Sequence, residues 1–429
     1  MNGLNEITLA QVFLWDQYVG SVYWDGGRLL AFFEYDPKFV RSGLPVAPLK
    51  MPLVAGRTFA FPELNRETYH GLPGLLADSL PDYFGNQVFQ AYFRKLGRDP
   101  ASVNPVERLC FIGQRGMGAL EFKPALGARQ TAQVLDVERL ARVADAILHE
   151  RLELQTTLPD DSQGLDELIQ VGTSAGGARA KAIVAWNPLT NELRSGQVKA
   201  PKGFEYWLIK LASPNEKRAY GRIEYAYHLM AQAAGIEMSK CLLWEHNGLA
   251  HFMTRRFDRG PTGEKLHVQS LCAMGHYDFN QRGTNSYEDA FQVLQKLQID
   301  AKAQLFRRVV FNLIARNQDD HTRNIAFTMD REGRWSLAPA FDVTWAYNPA
   351  NEWTSQHQMS LGGKFDAFTQ QDLLRFARMF DIPGAAGLIA SVGDAVCRFQ
   401  EFAEQAGVSK EDARRMYHEF RLELCYGLD

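Results

Sequence analysis

Cysteine is scarce: the 429 residues hold five, at positions 110, 241, 272, 397 and 425, an odd number, widely spaced and without a C-x-x-C pair. That pattern disfavours a disulfide framework or a zinc knuckle, and the thiols are expected to be small buried hydrophobes. The ten histidines are dispersed, with no H-x-x-x-H near an acid cluster, so a zinc centre is not expected. An excess of one charge is also missing. Lys+Arg number 47 against 50 Asp+Glu, a formal charge of -3, which offers no global basic field for sequence-blind nucleic-acid binding, although a local basic patch stays possible. No run of 18 apolar residues occurs, and the opening "MNGLNEITLAQ" lacks a basic segment followed by an apolar one. The expectation is a cytoplasmic protein with no membrane span. Internal repeats and low-complexity tracts are absent too.

What is present suffices for one large core or two to three ordinary domains, at 46% hydrophobic residues. Short strand-like runs, "AQVFLW", "GSVYW" and "RLLAFFEY", open the chain, with "DGG" at 25–27 as a turn signal. Residues 71–97 and 135–154 switch to helical spacing. From 171 the order is Gly-rich loop, strands "KAIVAW" and "ELRSGQVK", strand "YWLIKLA", helix "IEYAYHLMAQAAG" and a hairpin turned at Asn247-Gly248. Beyond 258 the chain reads as helical apart from one further hairpin. Five strands with a helix after the third, a connector, then a helical lobe with one isolated hairpin, is the layout of a protein-kinase-like fold.

The stretch "NQDDHTRN" (317–324) follows the apolar run "LFRRVVFNLIA", so its polar residues begin where a buried helix stops. Strand "IAFTM", turn "DREG", strand "RWSLA" and "PAFDV" come next. In kinases a loop Asp orients the attacking hydroxyl, an Asn five residues later binds one Mg²⁺, and an Asp after the hairpin binds the metals bridging the phosphates. Asp319, Asn324 and Asp342 fit those roles. An Asx-rich turn that only caps secondary structure would use similar residues; the recurrence of loop, hairpin and trailing Asp in order favours chemistry. His321, beside two acids, is expected to hold the loop backbone at the nucleotide site. Lys210 stands among apolar strand neighbours, as a phosphate-binding lysine or as an edge-strand device, and Glu224 opens the next helix as its candidate partner. "VGTSAGGARAK" (171–181) offers Ser174, Ala175, Gly176, Gly177 and Ala178 for backbone approach to an anion, and Arg179 and Lys181 for charge. A flexible surface loop would look alike.

Together "GLPGLLADSLPDYFG", "ERLCFIGQRGMGALEF", "VGTSAGGARAK", "WLIKLA", "RRFDR", "NQDDHTRN" and "PAFDV" resemble the successive motifs of HipA-type serine/threonine protein kinases, the toxins of type II toxin-antitoxin pairs. The resemblance spans roughly residues 10 to 350. It implies an α+β, kinase-like two-lobed fold with an added β-rich N-terminal subdomain (1–130), an N-lobe with the Gly-rich loop (131–255) and a helical C-lobe with the catalytic loop and metal-binding Asp (256–429). It further implies ATP and Mg²⁺, catalysis by Asp319, metal binding by Asn324 and Asp342, and a hinge of Arg255, Arg256, Phe257 and Asp258 that reads adenine through its backbone. The family has an acid where this chain has Arg255. Autophosphorylation at Ser174 as an off-switch, a protein substrate such as an aminoacyl-tRNA synthetase, and a small helix-turn-helix antitoxin through which DNA is met only indirectly, follow from the same resemblance. A small-molecule phosphotransferase of kinase-like fold and a non-catalytic subunit of a repressor complex are the alternatives.

Overall fold

The computed structural model describes residues 6–126, 134–148, 159–172, 179–213, 216 and 218–426. The chain forms two compact units, one of residues 1–215, 253–269 and 329–334, the other of residues 216–252, 270–328 and 335–429.

In the first unit, strands Leu9–Leu14 (β1), Gln17–Asp25 (β2), Leu30–Tyr35 (β3), Thr58–Phe59 (β4) and Leu120–Lys123 (β5) form a sheet in the order β4-β3-β2-β1-β5. The period-2 pattern explains its single buried face: Ala10, Val12 and Leu14 of β1 are buried while Leu9 and Gln11 are exposed. "DGG" lies in the β2–β3 turn as expected. The β1–β2 turn had no such signal, since Trp15 and Asp16 themselves take positive φ of 49° and 66°. Trp15 is held there by its indole N–H, which donates to the Lys265 carbonyl at 2.7 Å.

The helical spacing over 71–97 resolves into a short turn, Gly74–Ala77, and a helix, Tyr83–Lys95. Pro81 separates them, because proline and the residue before it cannot continue a helix. Helices Val137–Leu148 and Pro159–Gly172 pack together. Strands Lys181–Trp186 (β6), Leu193–Ser195 (β7) and Glu205–Lys210 (β8) follow, with β6 paired antiparallel to both others.

The second unit holds helix Tyr220–Ala233 and strands Cys241–His246 (β9) and most of Leu249–Arg255 (β10), turned through Asn247 and Gly248 with φ of 47° and 78°. Its core centres on helix Lys302–Ile314, where Leu305, Phe306, Val309, Val310, Leu313 and Ile314 are fully buried and which packs against helix Ala385–Cys397. Phe311 and Arg308 are buried as well, so the apolar face is wider than one stripe. Strands Ala326–Met329 and Trp335–Leu337 form the expected hairpin, but it is not isolated, since it belongs to a three-stranded sheet. Among the described residues no helix is long and apolar enough to cross a membrane. All five cysteines are among the described residues and no disulfide joins them; all but Cys397 are buried.

Candidate functional site

The polar octet begins where helix Lys302–Ile314 runs out. Tyr227 closes the helix by donating its hydroxyl to the Ala315 carbonyl at 2.5 Å, and Arg316 turns the chain with φ 55°. Asn317 then hooks back, its backbone N–H donating to the Asn312 carbonyl at 3.0 Å and its amide to Asn312 Oδ1 at 2.9 Å.

The two neighbouring aspartates point to different fates. Asp320 is buried: its Oδ2 accepts from the Tyr287 hydroxyl at 2.5 Å and from His357 Nδ1 at 2.7 Å, and its Oδ1 from the Gln358 backbone N–H at 2.7 Å. Three donors offset the cost of burying a carboxylate. Burial first, then Asp320, hold the Tyr287 hydroxyl well above the usual phenol range, so it remains a donor. Asp319 keeps 51% of its side chain exposed, with Oδ1 3.8 Å from His321 Nε2. A carboxylate in that position can accept a hydrogen bond from an incoming hydroxyl.

Asn324 ends the loop. Its backbone N–H donates to the His321 carbonyl at 2.9 Å and its side-chain Nδ2 to the Asp319 carbonyl at 2.8 Å. With the nitrogen engaged, Oδ1 is the atom the amide can offer to a cation. Asn324, His321 and Asp320 line one cavity with Phe341 and Val343, the neighbours of Asp342, so the loop at 317–324 and "PAFDV" come together. Asp342 has φ 52°, a left-handed conformation uncommon outside glycine and better tolerated by Asp than by bulkier residues. Among the described residues no cluster of three or more His, Cys, Asp or Glu could cage a metal. One carboxylate plus one amide oxygen suits Mg²⁺, which completes its shell with water and substrate phosphates.

In the first unit Lys210 is not alone. Lys181 lies directly opposite it across β6 and β8, and is buried to 2% exposure. Two cations facing each other on one sheet face would gain from a shared anion. Arg179 is described beside them, whereas Ser174, Ala175, Gly176, Gly177 and Ala178 lie outside the described residues. The base of their loop is tight: a Cβ on Gly172 would stand 3.2 Å from the Lys181 carbonyl.

The side chains of the proposed hinge are taken up internally. Arg256 donates Nε and Nη2 to Asp258 at 2.9 and 2.7 Å, Arg259 Nη1 donates to Asp258 at 2.7 Å, and the Gly118 N–H adds a fourth bond at 2.7 Å. Burial alone would raise the Asp258 carboxyl, but Arg256 and Arg259 outweigh it and hold the group well below the usual carboxylate range. The Arg256 backbone N–H is used by the Tyr206 carbonyl at 2.9 Å. Arg255 and Phe257 are half-buried. Sequence reasoning passed over Tyr287, His357, Gln358 and Gly118, because no local spacing ties them to their partners.

Comparison with known families matches residues 173–424 to the HipA-like C-terminal domain and residues 10–123 to the HipA N-terminal domain. The chain belongs to the HipA family. Among solved structures, this HipA-family chain is similar to one from the Shewanella oneidensis MR-1 toxin-antitoxin complex of HipA, HipB and operator DNA, with TM-score 0.67, 17% identity, and coverage of 97% of this chain and 96% of that one. That likeness bears out the α+β fold with a β-rich N-terminal part and a helical C-terminal part. A Helicobacter pylori proinflammatory kinase, CtkA, aligns at TM-score 0.33 and 13% identity over 52% of this chain and 90% of its own, too little to carry an argument. Comparison with curated proteins finds no match.

Proposed function

We propose that this HipA-family chain is an ATP- and Mg²⁺-dependent serine/threonine protein kinase that arrests growth as the toxin of a toxin-antitoxin pair. The observation that carries the reading is the contrast within "DDHTRN": Asp320 is spent on the interior, while Asp319 is left half exposed and Asn324 is turned so that its oxygen stays available. Asp319 accepts a hydrogen bond from the substrate hydroxyl and takes its proton as the new O–P bond forms and the bond to the ADP leaving group breaks. Asn324 Oδ1 and Asp342 would hold Mg²⁺, which when bound neutralises charge on the phosphates. Lys181, Lys210 and Arg179 supply positive charge for phosphate, and the backbone of 255–258 takes adenine. The His321 ring does not hold the loop backbone as expected: Nδ1 is buried without a partner, Nε2 stands 3.8 Å from Asp319 Oδ1, and only its carbonyl accepts, from the Asn324 N–H.

Ser174 is proposed as the autophosphorylation site. A phosphoserine adds about -1.5 to -2 charge to a loop that would hold other phosphates, so the modified chain should lose ATP affinity. The protein substrate is proposed to be a translation enzyme such as an aminoacyl-tRNA synthetase. The antitoxin is proposed to be a small helix-turn-helix protein, in line with the HipB of the similar complex.

Incubation of the purified chain with γ-labelled ATP, Mg²⁺ and cell lysate, followed by mass spectrometry, tests this. Label on serine or threonine of a lysate protein, and on Ser174, is expected. Label confined to small molecules would favour the phosphotransferase alternative, and none at all would overturn the kinase reading. Growth arrest on expression, relieved by the Asp319→Asn change, is expected in parallel.

A further inference from the structure

Asp320 is joined to two segments far from it in the chain. Tyr287 opens helix Tyr287–Lys296, and His357 and Gln358 lie in the segment after Asp342; they stand 33, 37 and 38 residues from Asp320. Asn312 extends the chain of contacts, donating Nδ2 to the Tyr287 hydroxyl at 3.1 Å. His357 is buried, its ring edge-on to Phe368 with centroids 5.5 Å apart. A carboxylate only accepts, so Nδ1 carries the proton of that bond. The other nitrogen, Nε2, is buried without a partner. All the hydrogen bonding of this imidazole therefore goes to one oxygen of Asp320. An orphaned ring nitrogen is a cost that a purely packing role would have avoided, since an apolar ring would fill the same space without it.

The other side of the same peptide is fixed as well, by Asn324 on the Asp319 carbonyl. Between these two fixtures lies the Asp319 carboxylate, which is itself loosely held. We propose that His357 and Tyr287 are positioning residues: acting through Asp320, they set the direction in which Asp319 presents its carboxylate to the substrate hydroxyl. This rests on the proposed role of Asp319. A displacement of about 1 Å at a reacting group can cost about 100-fold in rate, so loss of either donor should lower turnover while leaving nucleotide binding intact.

The test uses which nitrogen is needed. Asparagine puts its Nδ2 as many bonds from Cα as the Nδ1 of histidine, whereas glutamine puts its nitrogen one bond further out. In the full-length protein, His357→Asn should keep γ-phosphate transfer to within about threefold of wild type. His357→Gln, His357→Ala and Tyr287→Phe should lower it by about 10- to 100-fold at saturating Mg²⁺ and ATP, with the KM for ATP unchanged. Hydrogen exchange supplies a readout independent of activity: the amides of 317–325 should stay protected in His357→Asn and exchange faster in His357→Gln, at similar melting temperatures. Equal behaviour of the Asn and Gln variants, or unaltered protection in all of them, overturns the inference. If wild type transfers no phosphate while exchange follows the expected order, the kinase reading fails and the loop-holding role stands.

Discussion

The side-chain nitrogen of Asn324 donates to the backbone carbonyl of Asp319 across 2.8 Å. One residue thus braces the proposed proton acceptor with its nitrogen while its oxygen is proposed to meet a cation, and the two tasks are separable by substitution.

Asn324→Asp keeps an oxygen for Mg²⁺ but sets an acceptor against the Asp319 carbonyl. Its transfer rate should fall by about 100-fold with no loss of Mg²⁺ affinity, whereas Asn324→Ala should lose both. Rate measured against Mg²⁺ concentration separates the variants, and a wild-type rate for Asn324→Asp would show that the brace has no role.

Asp319→Asn and Asp342→Asn should each lower phosphoryl transfer by orders of magnitude while remaining folded by circular dichroism, because transfer depends on positioning and charge neutralisation. Calorimetry should find near-normal ATP binding in Asp319→Asn and weakened Mg²⁺-dependent binding in Asp342→Asn. Near-wild-type turnover in both would remove the assignment.

Lys181 and Lys210 face each other across two strands. Changing either to methionine should weaken ATP binding about tenfold or more, roughly 1.4 kcal/mol, with a smaller effect on adenosine. Equal losses for ATP and adenosine would point to a damaged sheet.

Asp258 joins two buried arginines, so Asp258→Asn should destabilise the protein by about 3–5 kcal/mol, the scale for removing one partner of a buried ion pair. The folded carboxyl is held below its unfolded value of about 3.9, so this stability is fully present above about pH 4 and is lost as the pH falls through the folded value. Melting curves should therefore show a constant gap between wild type and variant from pH 6 to 8, narrowing below about pH 4. A gap that persists unchanged into acid would mean that the charge of Asp258 is not what stabilises the cluster.

The loop at 317–324 was legible because its signals are local: a buried helix stops, and an acid, an amide and a later Asp follow at short, fixed spacing. The Asn247-Gly248 hairpin was legible for the same reason. The supports were not. Asp320 depends on His357, 37 residues away, and Asp258 on Gly118, 140 residues away, and no spacing announces either contact. Lys210 looks solitary in the sequence because no local spacing pairs it with Lys181, the first residue of strand "KAIVAW" and its neighbour across the sheet. The Trp15-Asp16 turn escaped notice since Trp15 is not a usual carrier of positive φ and no glycine follows Asp16.

Arg115 is buried, its guanidinium over the Phe111 ring and donating to the main-chain carbonyls of Ile112, Phe111, and Ile169 of helix Pro159–Gly172, the last at 2.9 Å. Burial lowers its guanidinium to about 10, which leaves it charged at neutral pH. The helix that leads into the Gly-rich loop is therefore tied to the N-terminal part of its unit by a contact that does not depend on the identity of residue 169. Over evolutionary time the two partners are under unequal constraint. Position 169 can change among apolar residues without breaking the tie, while a change at Arg115 takes its side-chain donors from the Phe111 and Ile169 carbonyls, so related chains should vary more at residue 169 than at Arg115.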